Sequence, residues 1–409
     1  MRNRRAMHII HTSDWHLGQH FFDRDRFEEH EAFLRFLLAT IETRRVDLLI
    51  VSGDIFDTAN PPREAERMYY RFLTRLGAMG TCSAVIVGGN HDSAPHLDAP
   101  ATVLETLNIK VVGALPESAE EAVFHVPCLR DETDPGVWVA AVPYLRDRDV
   151  RKAVAGESFD ELSARTRAGI RAAYTEIAEV AHARSNGTPV IGTGHLTALG
   201  SSVSDSERTI HIGNLGSISG GDFPDTFDYV ALGHIHTPQA VGGSQTIRYS
   251  GSPIALSFSE ASQPKEIRLI NTAGGTLTQE PIAVPTFRPL LRIKGDADAL
   301  KEALTALEVS EKGLTPWVEL TVKGSLPSST LNEELRTLAG EHGAEVLKVG
   351  LDTSGRPSAE LAPGDLSINE LNPEEVFQRR LEAYEGEVPP DTLVECFSHL
   401  LTLAQEAEK

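Results

Sequence analysis

The sequence predicts an α/β protein: a large layered domain first, then a smaller α/β unit, then a helical tail. Three observations point there. Short apolar runs alternate with helix-length amphipathic stretches through residues 7–232. Clusters of His, Asp and Asn stand directly after those runs. Beyond residue 285 the alternation restarts on a smaller scale. Taken in order, residues 7–11, 47–52, 84–88, 109–112, 138–142, 189–193 and 229–232 have the apolar character of strands. Residues 28–44 and 63–76 have helical spacing, and a longer stripe of Leu162, Ile170, Tyr174, Ile177 and Val180 precedes Pro189. After Gly233, the runs 247–250 and 266–270 are expected to form a second sheet that closes the domain, which spans 1–285.

A second domain is expected over 286–350. Strands at 290–294, 317–323 and 346–349, with helices at 297–307 and 330–341, make a compact β-α-β-α-β unit. Residues 351–371, rich in Gly, Pro, Ser and Asp, are a linker candidate. Residues 372–409 hold two amphipathic helices separated by a Gly and Pro break. This division suits the length: 409 residues exceed one typical core of roughly 100–200.

Composition removes several classes. Hydrophobic residues are 41% of the chain, and no apolar run approaches the roughly 20 residues of a membrane span. The arginine cluster at the start is followed by too short an apolar stretch for a signal peptide. Three widely spaced cysteines, Cys82, Cys128 and Cys396, argue against a disulfide framework and for a cytoplasmic location. Lys and Arg number 38 against 59 Asp and Glu, a net charge of −21. At face value that opposes a nucleic-acid partner, whose electrostatic footprint is basic.

The motifs say otherwise. Five segments concentrate potential ligands: Asp14-Trp15-His16, Gly53-Asp54-Ile55-Phe56-Asp57, Gly89-Asn90-His91-Asp92, Gly194-His195 and Gly233-His234-Ile235-His236. Each follows an apolar strand pattern, and open α/β sheets bind ligands outside the carboxyl ends of their strands. In extended backbone, residues two apart share a side, so Asp14 with His16, and His234 with His236, are expected to present ligands in pairs. A glycine before Asp54, Asn90, His195 and His234 permits a sharp turn at the strand tip. Carboxylate, amide and imidazole donors without thiolate suit Mn²⁺, Fe²⁺ or Zn²⁺. Such a set is too large for one ion and reasonable for two sharing a carboxylate, the arrangement that clamps both oxygens of a phosphoryl transfer. One such dipeptide means little; five in order do not arise by chance.

These segments resemble the calcineurin-like metallophosphoesterases. The longer strings HTSDWHLGQ at 11–19, VSGDIFDTANPP at 51–62, GGNHDS at 88–93, GTGHLT at 192–197, YVALGHIH at 229–236 and YSGSPIALSFSE at 249–260 are similar to the SbcD nuclease-subunit branch. So is ELNPEEVFQRRLE at 370–382. The likeness is dense over 7–270, thin over 290–350 and recovers near 370–385. It implies an α/β/β/α two-sheet sandwich with a capping domain and a C-terminal helical segment. It implies that Asp14, His16 and His236 hold one ion, that Asn90, His195 and His234 hold the other, and that Asp54 bridges them. It also implies manganese-dependent double-strand exonuclease and hairpin or single-strand endonuclease action on DNA. The implied partner is an SbcC-like coiled-coil ATPase, with the chain a homodimer inside a heterotetramer.

His91 follows by elimination. With Asn90 a ligand, its neighbour should point toward the scissile phosphate, to stabilise charge or protonate the leaving 3′ oxygen. Asp92 is expected to orient that imidazole, and Asp57 to orient a ligand. His11, His20, His125 and His211 default to structural roles. Arg63, Arg67, Arg71 and Arg75 recur every four residues, a basic stripe more simply explained as a solvated face paired with Glu. Val376, Phe377, Leu381, Leu393, Val394, Phe397, Leu400 and Leu401 make an apolar stripe that suits the protein's own body or a partner helix equally; the linker before it and the resemblance favour the partner.

Two other function classes compete. A small-molecule phosphoesterase needs the same ligands, but the extra domain and tail favour a large substrate and a partner. A scaffold on a dead fold is opposed by the complete ligand set. The acidity is uneven: residues 286–409 hold 12 basic and 23 acidic residues, while residues 1–80 are balanced. Bound cations would add positive charge where a phosphate must sit. The chain is therefore expected to need a partner's basic surface for tight DNA binding.

Overall fold

The computed structural model describes residues 7–152, 157–198, 201, 218–273, 277–307, 309, 313–324 and 328–352, then 377, 381, 393–394 and 397–398. Residues 1–351 form one compact unit and 352–409 a second.

Two six-stranded sheets build the first unit. The first runs in the order β14 (Thr278–Ala283), β13 (Glu266–Asn271), β1 (His8–Thr12), β4 (Leu48–Ser52), β5 (Ser83–Val87) and β6 (Ile109–Val112). The second runs β11 (Gln239–Ala240), β12 (Ile247–Tyr249), β10 (Tyr229–Gly233), β9 (Val190–His195), β8 (Val137–Ala140) and β7 (Val123–Val126). A short hairpin of β2 (His20–Phe21) and β3 (Arg24–Asp25) stands apart from both.

The alternation of side chains explains the layering. Ile9, Leu48, Ile50, Val85 and Val87 point inward and meet Val137, Val139, Ile191, Tyr229 and Ala231 of the other sheet. Ile10, Leu49, Val51 and Ile86 point outward under the helices Phe27–Thr43 and Arg63–Met79. Across the molecule, Val190, Val230 and Leu232 pack under the helix Phe159–Ser185 through Ile170, Tyr174 and Ile177. Strands buried on both faces are why the sequence shows continuous apolar runs. The result is the expected α/β/β/α order of layers.

Sheet membership differs from expectation. The second sheet does not begin after Gly233; it already contains β7 to β10. The run at 266–271 belongs to the first sheet, antiparallel to β1, with Ile270 facing inward and Ile267 and Leu269 outward. Apolar runs report burial, not which of two facing sheets a strand joins. β14 escaped notice because it is an edge strand with mostly exposed or half-buried residues.

Residues 286–351 follow the expected β-α-β-α-β order. β15 (Leu290–Gly295), β16 (Trp317–Val322) and β17 (Glu345–Leu351) are parallel, with helices Ala297–Thr305 and Ser329–Glu341 between them. The unit has its own core around Leu300, Leu304, Val318, Leu320 and Leu335. It is seated on the main body by Trp317, which stacks on Phe21 with centroids 5.6 Å apart. The Arg288 guanidinium lies 4.2 Å from the Trp317 ring centroid, and Arg288 also reaches buried Glu29 at 3.2 Å.

The four arginines of the stripe lie exposed on helix Arg63–Met79; Arg67 pairs with Glu64 and Arg71 with Glu31, as a solvated face would. The expected linker and C-terminal helices fall almost wholly outside the described residues. Within that second unit, the Phe377 and Phe397 rings stack with centroids 4.0 Å apart. No helix among the described residues is long and apolar enough to cross a membrane.

Trp317→Ala should destabilise the first unit by about 3–5 kcal/mol, the usual cost of emptying a buried aromatic site. Urea unfolding followed by circular dichroism measures it, and a loss near zero would contradict the seating role.

Candidate metal centre

In each sheet the central strands are parallel, β1, β4, β5 and β6 in one and β8, β9, β10 and β12 in the other, so their carboxyl ends collect at an edge. All five motif segments emerge from those ends. The loops after β1 and β4 continue to pair: the Asp14, His16 and Leu17 amides donate to the Gly53, Asp54 and Ile55 carbonyls at 2.9–3.0 Å. Polar contacts then stitch the two sheets together at this end. Ser52 Oγ donates to the Ala231 carbonyl at 2.9 Å, and His11 Nε2 lies 3.1 Å from the Leu232 carbonyl.

Two triads of donor atoms result. Asp14, His16 and His236 form one, and Asp54, His195 and His234 the other; within each triad all ligand atoms lie within 4.8 Å of one another. Asn90 joins the second, its Oδ1 lying 2.9 Å from His195 Nε2 and 2.9 Å from His234 Nδ1. Asp54 reaches toward both: Oδ2 is 3.2 Å from His195 Nε2 and 3.6 Å from His16 Nε2. A third grouping, His16, Asp57 and His91, shares His16 with the first.

The backbone that achieves this is not the extended one expected. Asp14, His16, Asp54 and His234 all have positive φ, between 45° and 96°. A non-glycine residue pays for that conformation, which persists where surrounding contacts enforce it. Asp14 and His16 therefore converge by two left-handed steps, and His234 and His236 diverge to separate triads. The glycines serve differently too. Gly53 does take φ +87°, but Gly233 matters for space: a Cβ there would lie 1.9 Å from the Ser52 carbonyl oxygen.

The supporting hydrogen bonds fix each ring. His16 Nδ1 meets Asp57 Oδ1 at 3.1 Å, and His195 Nδ1 meets the Ser52 carbonyl at 2.9 Å. Those acceptors hold the proton on Nδ1 and turn Nε2 toward the centre. Asp14 is held by the Ser13 hydroxyl at 2.5 Å and the His234 amide at 2.9 Å. His91 stands apart from the two triads. Its amide donates to Asp54 Oδ1 at 2.9 Å, and its Nδ1 lies 2.6 Å from the Asp57 carbonyl.

Asp92 does not take the place expected for it. Its carboxylate accepts from the Gly89, Ile55 and Phe56 amides at 2.8–3.1 Å, bracing the loops after β4 and β5. The group that orients His91 is the Asp57 carbonyl. Fully buried Glu260 had no forecast role: Oε1 lies 3.7 Å from His236 Nδ1, while Lys265 Nζ donates to Oε2 at 2.7 Å. It lies in the YSGSPIALSFSE string, but nothing local separates one buried glutamate from a surface one.

Residues 7–238 match the calcineurin-like phosphoesterase family, and residues 286–385 match the type 5 capsule protein repressor C-terminal domain. The Escherichia coli K12 SbcD subunit of the nuclease SbcCD is 36% identical over 407 residues, 98% of this chain and all of that one. The chain belongs to the SbcD family of calcineurin-like phosphoesterases. Proteins of the same name from Rhodobacter capsulatus (37% identical, covering 74% of this chain and 75% of that one) and Bacillus subtilis (28%, covering 98% and 100%) are also similar.

The residues of this SbcD-family centre fit divalent ions. His16 Nε2 is buried without a hydrogen-bond partner among the described residues. A buried nitrogen left so costs about 1–3 kcal/mol unless a proton or cation takes its lone pair. Without ions, protons take that place. Burial opposes charge on His16 and His195, but Asp54, with Asp57 beside His16 and Asp14 nearby, outweighs it and lifts both to about 9. Burial likewise opposes the charge on Asp54, yet His195, His91 and His16 hold it well below the usual carboxylate range.

Both imidazole values lie above the ordinary 6.5. Their protons thus stabilise the ion-free fold in full below pH 6.5, and that contribution disappears as pH rises through about 9. Cations must displace the same protons, so affinity climbs across this window. Titrating Mn²⁺ at pH 7 should release about two protons, seen as a buffer-dependent enthalpy in calorimetry. The rise in Tm on adding Mn²⁺ should grow from pH 6.5 to 9; an enthalpy independent of buffer would contradict this electrostatic account.

Proposed function

We propose that this chain is the nuclease subunit of an SbcCD-type complex. It hydrolyses DNA phosphodiesters as a double-strand exonuclease and as an endonuclease on hairpins and single strands, in repair, recombination and replication. The observation that carries this is the two triads, the second joined by Asn90 and reaching toward the first through Asp54, in a chain aligned over 98% of its length with a named nuclease subunit.

Asp14, His16 and His236 would hold one ion, Asn90, His195 and His234 the other, and Asp54 both; the hard and borderline donors suit Mn²⁺. Two such ions supply charge neutralisation to the attacking and leaving oxygens. The protein's own residues do the rest. Asp57 and the Ser52 carbonyl keep His16 and His195 in the ligating tautomer. His91, tethered at Nδ1 by the Asp57 carbonyl, has Nε2 as the nitrogen that meets substrate and gives a proton to the leaving 3′ oxygen. Asp92 keeps the two loops that carry Asp54 and Asn90 in register.

An SbcC-like coiled-coil ATPase is the proposed partner, docking on residues 372–409, whose sequence carries the apolar stripe. A dimer of this chain within a heterotetramer and a cytoplasmic location complete the proposal. The partner's basic surface would supply the phosphate contacts that a chain of charge −21 lacks.

The test is purified protein with Mn²⁺ on hairpin-ended DNA and on p-nitrophenyl phosphates, each with and without the ATPase. Cleavage of DNA that increases with the partner supports the proposal; hydrolysis confined to the small esters contradicts it. His91→Ala should lower kcat by about 10²–10⁴-fold, the usual worth of a positioned acid. Its manganese content should match wild type, and a near-normal rate would remove the role.

A further inference from the structure

The second sheet presents four parallel strand ends to the metal edge, and three already have a task. β9 delivers His195, β10 delivers His234 and His236, and beyond β12 Ser250 bonds Ser13 Oγ at 2.8 Å. The fourth, β8, runs parallel to β9 and continues through Val142 and Pro143 to Tyr144 and Arg146. No motif singled this segment out.

The Tyr144 amide donates to the Gly88 carbonyl at 2.8 Å, tying it to the loop that carries Asn90 and His91. Its ring meets the His195 ring edge to face, with centroids 6.2 Å apart and planes at 79°. The side chain is half-buried. Burial and the Asp54 carboxylate, with Asp147 and Asp149, raise the phenol while Arg146 pulls it back. The neighbouring arginines are committed: Arg148 to Asp149 at 3.8 Å, and Arg151 to Asp147 at 2.6 Å. The Arg146 amide donates to Asp149 Oδ2 at 2.9 Å, but among the described residues its guanidinium, unlike those of Arg148 and Arg151, has no carboxylate within 4.0 Å.

We propose that Tyr144 and Arg146 form the substrate wall on the His195 side. The ring stacks on the nucleotide flanking the scissile phosphate, and the guanidinium meets the next phosphate. An aromatic face with a free cation beside it suits a polynucleotide backbone of any sequence. A small phosphate ester has nothing to place there. The inference rests on the nuclease reading and adds to it where the strand lies.

Steady-state kinetics with Mn²⁺ on a single-stranded oligodeoxynucleotide and on methyl p-nitrophenyl phosphate, whose one ring is the leaving group, with bound metal measured in parallel, test it. Tyr144→Ala should raise KM for the oligonucleotide about tenfold more than KM for the small ester, while Tyr144→Phe retains stacking and stays within about threefold of wild type on DNA. Arg146→Gln should weaken oligonucleotide binding and flatten its salt dependence, read by fluorescence anisotropy. Equal effects on both substrates, or lost metal in Tyr144→Ala, would mean the ring only buttresses His195 and would overturn the wall. Wild-type protein that cleaves the small ester but no DNA overturns the nuclease reading and the wall with it.

Discussion

The Asp54 carboxylate is the group on which the rest of the centre depends. It is 1% exposed, stands on left-handed backbone and faces His16, His195 and the His91 amide, each from a different loop. A buried carboxylate without countercharge would be costly, so those loops must close around it. Gly233 can touch the Ser52 carbonyl only because it lacks a Cβ, and the Ser52 carbonyl in turn orients His195. Inter-sheet contact, loop backbone and ring tautomers are thus parts of one arrangement. Without ions it is held together by protons on imidazoles; with ions the same negative charge holds them instead.

Much of this was legible in the sequence. Apolar runs and helical stripes located most elements, because strands buried on both faces and long amphipathic helices have strong periodic signatures. That these donor side chains would gather in one place was legible because each stands at the tip of such a run. What failed was geometry that periodicity does not encode. Residues two apart share a side only in extended backbone, and Asp14, His16 and His234 are not extended. Adjacency in sequence points Asp92 at His91, whereas its carboxylate reaches across to amides 36 and 37 residues away. Glu260 and Tyr144 carry no local mark, since their roles come from what the fold sets beside them.

The acidity of the chain fits the same physics. Negative side chains at the centre are what draw cations in, and acidity over 286–409 leaves the chain poorly equipped to coat DNA by itself. The capping unit is bound to the body through Trp317, Phe21 and Arg288, the last also paired with buried Glu29. Its core is separate, but its seat is shared with the hairpin that follows the Asp14 and His16 loop.

The most direct test of the account is the magnetic coupling of manganese bound to the protein. Two ions sharing the Asp54 carboxylate predict a stoichiometry of two and an exchange-coupled pair in the electron paramagnetic resonance spectrum, lost in Asp54→Asn. One ion per chain, or two with the spectrum of isolated Mn²⁺, would contradict a bridging Asp54 and the centre built around it.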